Sequence, residues 1–379
     1  MKILFLDQSG KLGGAELSLL DVAGAFSPHC LVGVFQDGPF PQALAARQIP
    51  HRVLESSLQV SKDSGWATGA RSLGQLAPLV ATIARLGHDF DLIYTNTSKA
   101  LILGALASRL SGKPLVHHLR DIVSPEHFSR ANRTLLVTAA NWCAAHVIAN
   151  SAATQAAFIA AGGNAETVSV VYNGFAPEAY QPLPTAAAEL RTELGWQDKF
   201  VVGHFSRLAP WKGQHVLIEA LAHCPKSVVA LLVGDALFGE DDYTEALHQQ
   251  VHRLGLSDRV TFLGFRSDIP SLMQACDVVA HTSTAPEPFG RVIVEAMLCQ
   301  RPVIAAAAGG AVELITHDQT GWLCPPDQAQ TLGNLISHLY RYPDQTQAIA
   351  QAGYHHALAN FTLEQTHRAL RQRLEQLLD

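Results

Sequence analysis

Residues 281–310 read HTSTAPEPFGRVIVEAMLCQRPVIAAAAGG, and the reading of this stretch decides the fold. Around its start, 277–283 (DVVAHTS) is β-branched and apolar, as a buried strand is, and 302–308 (PVIAAAA) has the same character. One helix fits between them. Pro286, Pro288 and Gly290 forbid an earlier start than about Gly290, and Pro302, which has no N–H, forbids continuation past it. Strand, loop, helix and strand in that order make a parallel βα unit, whose ligands gather at the carboxyl ends of the strands.

The spacing Glu287-x7-Glu295 places one carboxylate on the loop before the helix and one inside it, a turn beyond Arg291. A helix start leaves the N–H groups of Phe289, Gly290, Arg291 and Val292 without intrahelical acceptors and partly positive, which suits a phosphate; Gly290 permits close approach. Glu295 lies roughly 7 Å further along the axis, about the reach from a phosphate to the hydroxyls of its ribose. Glu287 sits where it can do the same for a sugar. Alone, either glutamate reads as a solvated charge; the pair, with Pro-Phe-Gly between two strands, reads as a binding loop.

Working outward, the chain begins with a strand at 2–7 (KILFLD), a loop 8–14 and a helix from Ala15. The loop is neither Gly-x-Gly-x-x-Gly nor a Walker A sequence, which speaks against a dinucleotide oxidoreductase and a P-loop enzyme. Its Gly13 and Gly14 can bring backbone N–H groups against a ligand, or simply make a tight turn. Strand patterns follow at 30–36, 50–55, 91–96, 114–119, 146–151 and 168–173, mostly with helical segments between, so the first half is a doubly wound parallel sheet. His118 and Arg120, two apart on extended chain, point the same way. A second series runs 200–206, 228–235 and 260–265 before the opening stretch. Its first turn, SRLAPWKG, sets Arg207 and Lys212 on a loop ending at Gly213, where two cations can neutralise a leaving diphosphate in place of magnesium. Ser267 and Asp268 read as the start of the next helix, Gly309-Gly310 repeats the glycine turn before a helix, and helices at 328–341, 344–358 and 363–378 close the chain.

Composition sets outer limits. A chain of 379 residues, 48% hydrophobic and 16% charged, suits two α/β domains. Net charge is −6, with 13 Lys+Arg against 12 Asp+Glu in residues 1–183 and 14 against 21 in 184–379. That excludes the basic stripe of a nucleic-acid binder, while the less acidic first half is compatible with an anionic lipid surface. The six cysteines (30, 143, 224, 276, 299, 324) form no Cys-x-x-Cys pair and no metal cluster with histidines, as expected in a reducing cytoplasm. MKILFLDQ leads straight into a strand and leaves no room for a signal peptide, and the apolar region 135–161 is broken by Asn141, His146, Asn150 and Ser151, so membrane contact is expected to be peripheral, at the inner face.

These motifs, in order along nearly the whole chain, resemble family 4 of the retaining glycosyltransferases, the type of sucrose synthase and of bacterial mannosyl- and glucosyltransferases. The resemblance implies the GT-B architecture, two Rossmann-like domains facing a cleft, here residues 1–183 with the closing helix 363–379 and residues 184–362. It implies that GGAE (13–16) lies over the donor phosphates and sugar, that Arg207 and Lys212 stabilise the leaving diphosphate, and that Glu295 holds the ribose and Glu287 the sugar. Phe265 and Arg266 stand at the turn that takes the nucleotide base, and Gly234, closing 228–235, counts with the donor-side residues. VYNGFAPEAYQPLP (171–184) matches the Asn-Gly turn into the interdomain linker. The family usually carries a His near the reacting sugar after the 114–119 strand. Here Arg120 takes that position, so either His118 makes the contact or Arg120 binds an anionic acceptor or phosphate. The implied activity is metal-independent transfer of a hexose, best matched by glucose from UDP-glucose, to the hydroxyl of a sugar or lipid-linked acceptor in polysaccharide or glycolipid synthesis. Two other classes stay open: a sugar-nucleotide epimerase of the same fold, and a non-catalytic nucleotide-sugar-binding subunit.

Overall fold

An apolar run such as VVALLV, as a strand covered on both faces, satisfies its backbone and hides every side chain, and such runs build both halves of this protein. The structure, a computed structural model, describes residues 1–54, 70–181, 184–237 and 239–378. It divides into two units, Met1–Gly174 with Leu363–Asp379, and Phe175–Thr362. The division falls at residue 174, upstream of the boundary expected at 183. Of that expected linker, residues 182–183 lie outside the described residues, as does residue 55 at the end of an expected strand.

In the first unit, strands β1 (Ile3–Asp7), β2 (Cys30–Val34), β3 (His51–Val53), β4 (Leu92–Thr95), β5 (Leu115–Leu119), β6 (Ala144–Ala149) and β7 (Val168–Val170) alternate with helices α1 (Gly14–Gly24), α2 (Pro39–Ala46), α3 (Ala70–Gly87), α4 (Ser98–Ser111), α5 (Arg130–Cys143) and α6 (Ala152–Ala160). They pair in parallel in the order β3-β2-β1-β4-β5-β6-β7. The order reverses between β1 and β4, the switch point at which such sheets open for ligands. One face packs on α3, α4 and α5 through Leu79, Ile83, Leu101, Leu136 and Val137. The other packs on α1 through Leu19, Leu20 and Ala23. The polar residues closing the expected strands, Asn96, Asn150 and Asn173 among them, lie just past the strand ends, where loops begin.

The second unit repeats the plan with α7 (Pro184–Glu193), β8 (Phe200–Phe205), α8 (Gln214–Leu221), β9 (Val228–Val233), α9 (Asp241–Arg253), β10 (Val260–Phe262), α10 (Ile269–Gln274), β11 (Val278–His281), α11 (Arg291–Leu298), β12 (Val303–Ala306), α12 (Ala311–Leu314), β13 (Trp322–Cys324), α13 (Ala329–Arg341) and α14 (Pro343–Asn360). The sheet order is β10-β9-β8-β11-β12-β13, with its switch point between β8 and β11. Helix α11 starts at the Gly290 N-cap and stops before Pro302, whose carbonyl instead receives the Val279 N–H at the foot of β11. Strand β13 is an addition to the sequence reading, a three-residue edge strand paired with β12.

The last helix, α15 (Leu363–Glu375), belongs to the first unit. Its Leu370 and Leu374 are fully buried in the α1 layer, about 2 kcal/mol each by apolar burial. Thr366 donates to the Tyr172 carbonyl at 3.0 Å, and Arg371 bonds the Ala25 carbonyl and covers the Phe26 ring at 4.9 Å.

Candidate active site

The loop after β11 carries Glu287, and its environment is built by three side chains from two strand ends. Lys212 Nζ donates to Glu287 Oε2 at 2.8 Å, Ser283 Oγ donates to the same oxygen at 3.0 Å, and His281 Nε2 lies 3.2 Å from it. Burial alone would raise the Glu287 pKa. The Lys212 charge and the His281 hydrogen bond outweigh it and hold the carboxyl well below the usual carboxylate range, so it is ionised. The backbone here is fixed from the β12 side: Gly309 pairs with Glu287 as an isolated parallel bridge, and the Gly310 N–H donates to the Glu287 carbonyl at 2.7 Å. Gly309 has φ +64°, and a Cβ on it would stand 2.3 Å from the Glu287 carbonyl oxygen, so only glycine lets the two loops touch. The 309–310 turn thus seats Glu287; α12, which follows it, has four residues.

Lys212 closes a single 3-10 turn, Pro210–Lys212, which is clamped onto the end of β11. Thr282 Oγ1 donates to the carbonyls of Lys212 and Gly213 at 3.1 and 2.7 Å, and the Thr284 N–H donates to the Trp211 carbonyl at 2.8 Å. His204 Nε2 lies 3.0 Å from Thr282 Oγ1, and burial pulls its pKa down to about 3, so the ring is a neutral spacer. Gly213, at φ +72°, lies so close to the Thr282 carbonyl that a Cβ would come within 1.9 Å of its oxygen. Arg207 and Lys212 share one indole: Arg207 Cζ is 5.9 Å and Lys212 Nζ 4.0 Å from the Trp211 ring centroid. Each cation faces a carboxylate, Lys212 that of Glu287 and Arg207 that of Glu240, the latter at 2.8 Å.

The start of α11 follows directly on this loop. The side chains of Phe289 and Arg291 turn away from it: Phe289 stacks on Phe175 and meets Phe361 edge-on, and Arg291 covers Phe175 at 4.6 Å. The backbone of 289–292 forms the N-cap and first turn of α11. Glu295 pairs with Arg291 at 3.4 Å on the same helix. Gly234, past the end of β9, donates its N–H to the Gly264 carbonyl at 2.8 Å and lies against the Ser206 backbone, joining the Arg207 loop to the turn after β10. On that turn Phe265 is 66% exposed, and Arg266 is clamped to Asp268 by two bonds of 2.8 and 2.6 Å. Asp268 is the N-cap of α10, as read from the sequence, with its carboxylate on Arg266 rather than on the helix N–H groups. His281, Ser283, Trp211 and Thr282 are the contributors that sequence reasoning missed. WKG and HTS were in view, but nothing in either tripeptide says which partner it meets.

In the first unit the structure corrects three expectations. His118 is 1% exposed, packed in the core with its Nδ1 hydrogen-bonded to the Tyr94 hydroxyl; burial and the Arg120 charge push its pKa well below the ordinary value, so it is neutral. Arg120 is 7% exposed and holds Asn96 Oδ1 at 2.9 Å and Asn173 Oδ1 at 2.5 Å, bracing strand ends rather than presenting its charge to an anionic acceptor or phosphate. Asn96 in turn donates to Asp7 Oδ2 at 2.8 Å. The Gly13 N–H is occupied by Glu16 Oε2 at 2.9 Å as α1 opens at Gly14, the glutamate's half of a capping box with no side chain on Gly13 to return the bond, so GGAE closes on itself at the helix start. Burial and the neighbouring Asp7 charge push Glu16 up to about 8; burial pushes Asp7 up to about 6 against the Ser9 N–H, Asn96 and Arg120.

The second unit thus gathers two cations on one aromatic ring, an ionised glutamate and a helix start at the carboxyl ends of β8 and β11. Residues 187–356 match the family model for glycosyl transferases group 1, and residues 12–179 match that for glycosyltransferase family 4. The chain belongs to this family of GT-B glycosyltransferases and is an enzyme of the hexosyltransferase kind. A crystal structure of Anabaena Alr3699/HepE in complex with UDP and glucose is 53% identical, covers 99% of this chain and 100% of that one, and has a TM-score of 0.93; a second, in complex with UDP-glucose, matches at the same identity, coverage and score. The GDP-mannose-dependent alpha-(1-6)-phosphatidylinositol monomannoside mannosyltransferase of Mycolicibacterium smegmatis is 29% identical over 291 residues, 72% of this chain and 73% of its own length. Sucrose-phosphate synthase from Thermosynechococcus elongatus, 22% identical over 99% of this chain and 98% of its own with a TM-score of 0.84, shares the fold. Among the described residues no helix is long and apolar enough to cross a membrane, and no group of three or more His, Cys, Asp or Glu is arranged to hold a metal ion.

Proposed function

We propose that the enzyme is a retaining, metal-independent glucosyltransferase that moves glucose from UDP-glucose to an acceptor hydroxyl in the synthesis of a polysaccharide or glycolipid in the cytoplasm. The observation that carries the donor is the 53% identity, end to end, to a protein crystallised with UDP-glucose. In this reading the second unit takes the donor and the first the acceptor. The diphosphate lies between the first turn of α11 and the pair Arg207 and Lys212, drawing them from their internal carboxylates. Charge develops on the diphosphate as the glycosidic bond breaks, and two fixed cations stabilise it without a metal. Glu295 accepts from the ribose hydroxyls, the turn 264–266 receives uracil, and Glu287 accepts from the glucose hydroxyls. Retention fits a site whose carboxylate is held by Lys212, His281 and Ser283 rather than aimed as a nucleophile. The departing phosphate oxygen then takes the acceptor proton on the same face of the sugar.

The test is a thermal-shift series with UDP, UDP-glucose, GDP and GDP-mannose, followed by product analysis. A ligand at about 100 times its dissociation constant adds roughly 2.7 kcal/mol, a shift easily seen. Stabilisation by the uridine pair, UDP release from UDP-glucose and an α-linked product by proton coupling support the reading. Stabilisation by the guanosine pair alone would move the donor to GDP-mannose, which the mycobacterial relative favours. A changed sugar still attached to its nucleotide would make the enzyme an epimerase, and binding with no release of UDP would leave a binding subunit.

A further inference from the structure

Both cations of the second unit's site are paired with carboxylates of the same unit, and the two pairs are built differently. Glu287, which holds Lys212, has further contacts that fix it: Ser283 donates to the same oxygen, His281 lies against it, and Gly309 bridges its backbone. Glu240 accepts from Arg207 Nη1 at 2.8 Å. It is the N-cap of α9, yet its carboxylate makes no cap bond to that helix. The start of α9 is closed by backbone, with the Tyr243 and Thr244 N–H groups donating to the Glu240 carbonyl at 3.1 and 3.2 Å. On the other side, Gln214 Nε2 donates to the Arg207 carbonyl at 2.9 Å, and the Leu208 N–H donates to the Asp235 carbonyl at 3.0 Å. The backbones that carry the Arg207–Glu240 pair are thus held by bonds other than the pair itself. Its side chains are 22% and 17% exposed, which leaves the pair within reach of a dissolved ligand.

We propose, resting on the reading of this site as the donor's, that Glu240 sets how readily the enzyme lets go of its nucleotide diphosphate. When the diphosphate arrives, Arg207 Nη1 exchanges Glu240 Oε1 for a phosphate oxygen; when it leaves, the carboxylate takes the guanidinium back. Two fixed cations that stabilise a departing diphosphate hold the free product by the same charges, and in many enzymes the departure of product limits turnover. An internal carboxylate competes with that product for one of the two cations and weakens its hold. Glu287 faces the sugar in this reading, so the competition falls to Glu240.

Calorimetric titration of the full chain with UDP tests this, with a stopped-flow measurement of UDP dissociation beside it. Glu240→Gln and Glu240→Ala should each bind UDP about fivefold tighter, the upper range for an ion pair partly open to water, and release it correspondingly more slowly. Glu240→Asp, which keeps the charge, should stay near the wild type. Asp242→Asn, which removes an exposed charge from the first turn of the same helix, should change neither quantity. In an Arg207→Ala background, Glu240→Gln should give no gain. Weaker or unchanged binding in Glu240→Gln and Glu240→Ala would overturn the proposal, by making Glu240 a brace that aims Arg207 at the donor or a bystander. An equal gain in Asp242→Asn, or one that persists without Arg207, would overturn it by making the effect one of net charge. A wild type that takes up no UDP would overturn the donor reading itself, and this proposal with it, before any variant is made.

Discussion

Lys212 holds Glu287 from 75 positions away, and the bond explains why the two were legible as charges and not as a pair. Sequence spacing sets residues on a loop or a helix; which loops meet is decided by the switch point between β8 and β11. The same limit applies to Arg120. Its place at a strand end was readable, but its partners Asn96 and Asn173 follow two other strands, and their amide oxygens take two of its donor nitrogens. Trp211 illustrates the opposite failure, a residue in plain view whose role as a shared platform for two cations has no local signature. At this scale one prediction is direct. Lys212→Ala should lower kcat by about 10²–10³, the loss expected for one donor that stabilises developing charge, with far less effect on donor affinity. Steady-state kinetics with UDP-glucose checks it, and near-normal turnover would remove Lys212 from the chemistry.

Among the elements, strands and helices were readable because continuous apolar runs and proline stops leave few alternatives. The turns between them were less so, since a glycine pair reads alike whether it meets a ligand or another backbone. Gly13 meets Glu16, and Gly309-Gly310 meets the Glu287 loop. Gly309→Ala should therefore lower stability by about 1–3 kcal/mol, the cost of a strained backbone, and also weaken donor use by moving Glu287. Denaturant titration beside kcat/KM measures both, and an unchanged midpoint would refute the contact. The bond from the Gly13 N–H to Glu16 gives a pH prediction. Glu16 keeps its proton in the folded state up to about 8, whereas the unfolded carboxyl releases it near its ordinary 4.5. The native state binds more protons throughout that window, so stability falls as pH rises from 4.5 towards about 8 and levels beyond. Glu16→Gln keeps the acceptor for the Gly13 N–H and should flatten that slope in a series of melting curves from pH 5 to pH 9 (about the limits of common buffers). A parallel slope in both proteins would place the titration elsewhere.

For the molecule as a whole, the two-unit plan was evident from the βα alternation, while the short edge strand β13 escaped notice because three residues carry almost no periodicity. The proposal that cations stand in place of a metal makes a molecular prediction: transfer should persist undiminished in excess chelator, and loss of activity rescued by magnesium would call for a different account of the leaving group. The path of the chain has a consequence of its own. Residues 175–362 are synthesised before 363–375, so the unit encoded second is complete in the chain before the last helix of the first unit exists. The unit encoded first must wait with the β-sheet surface around Phe5, Val116 and Ile148 short of Leu370 and Leu374, and translation must pass the α15 codons before that surface can close.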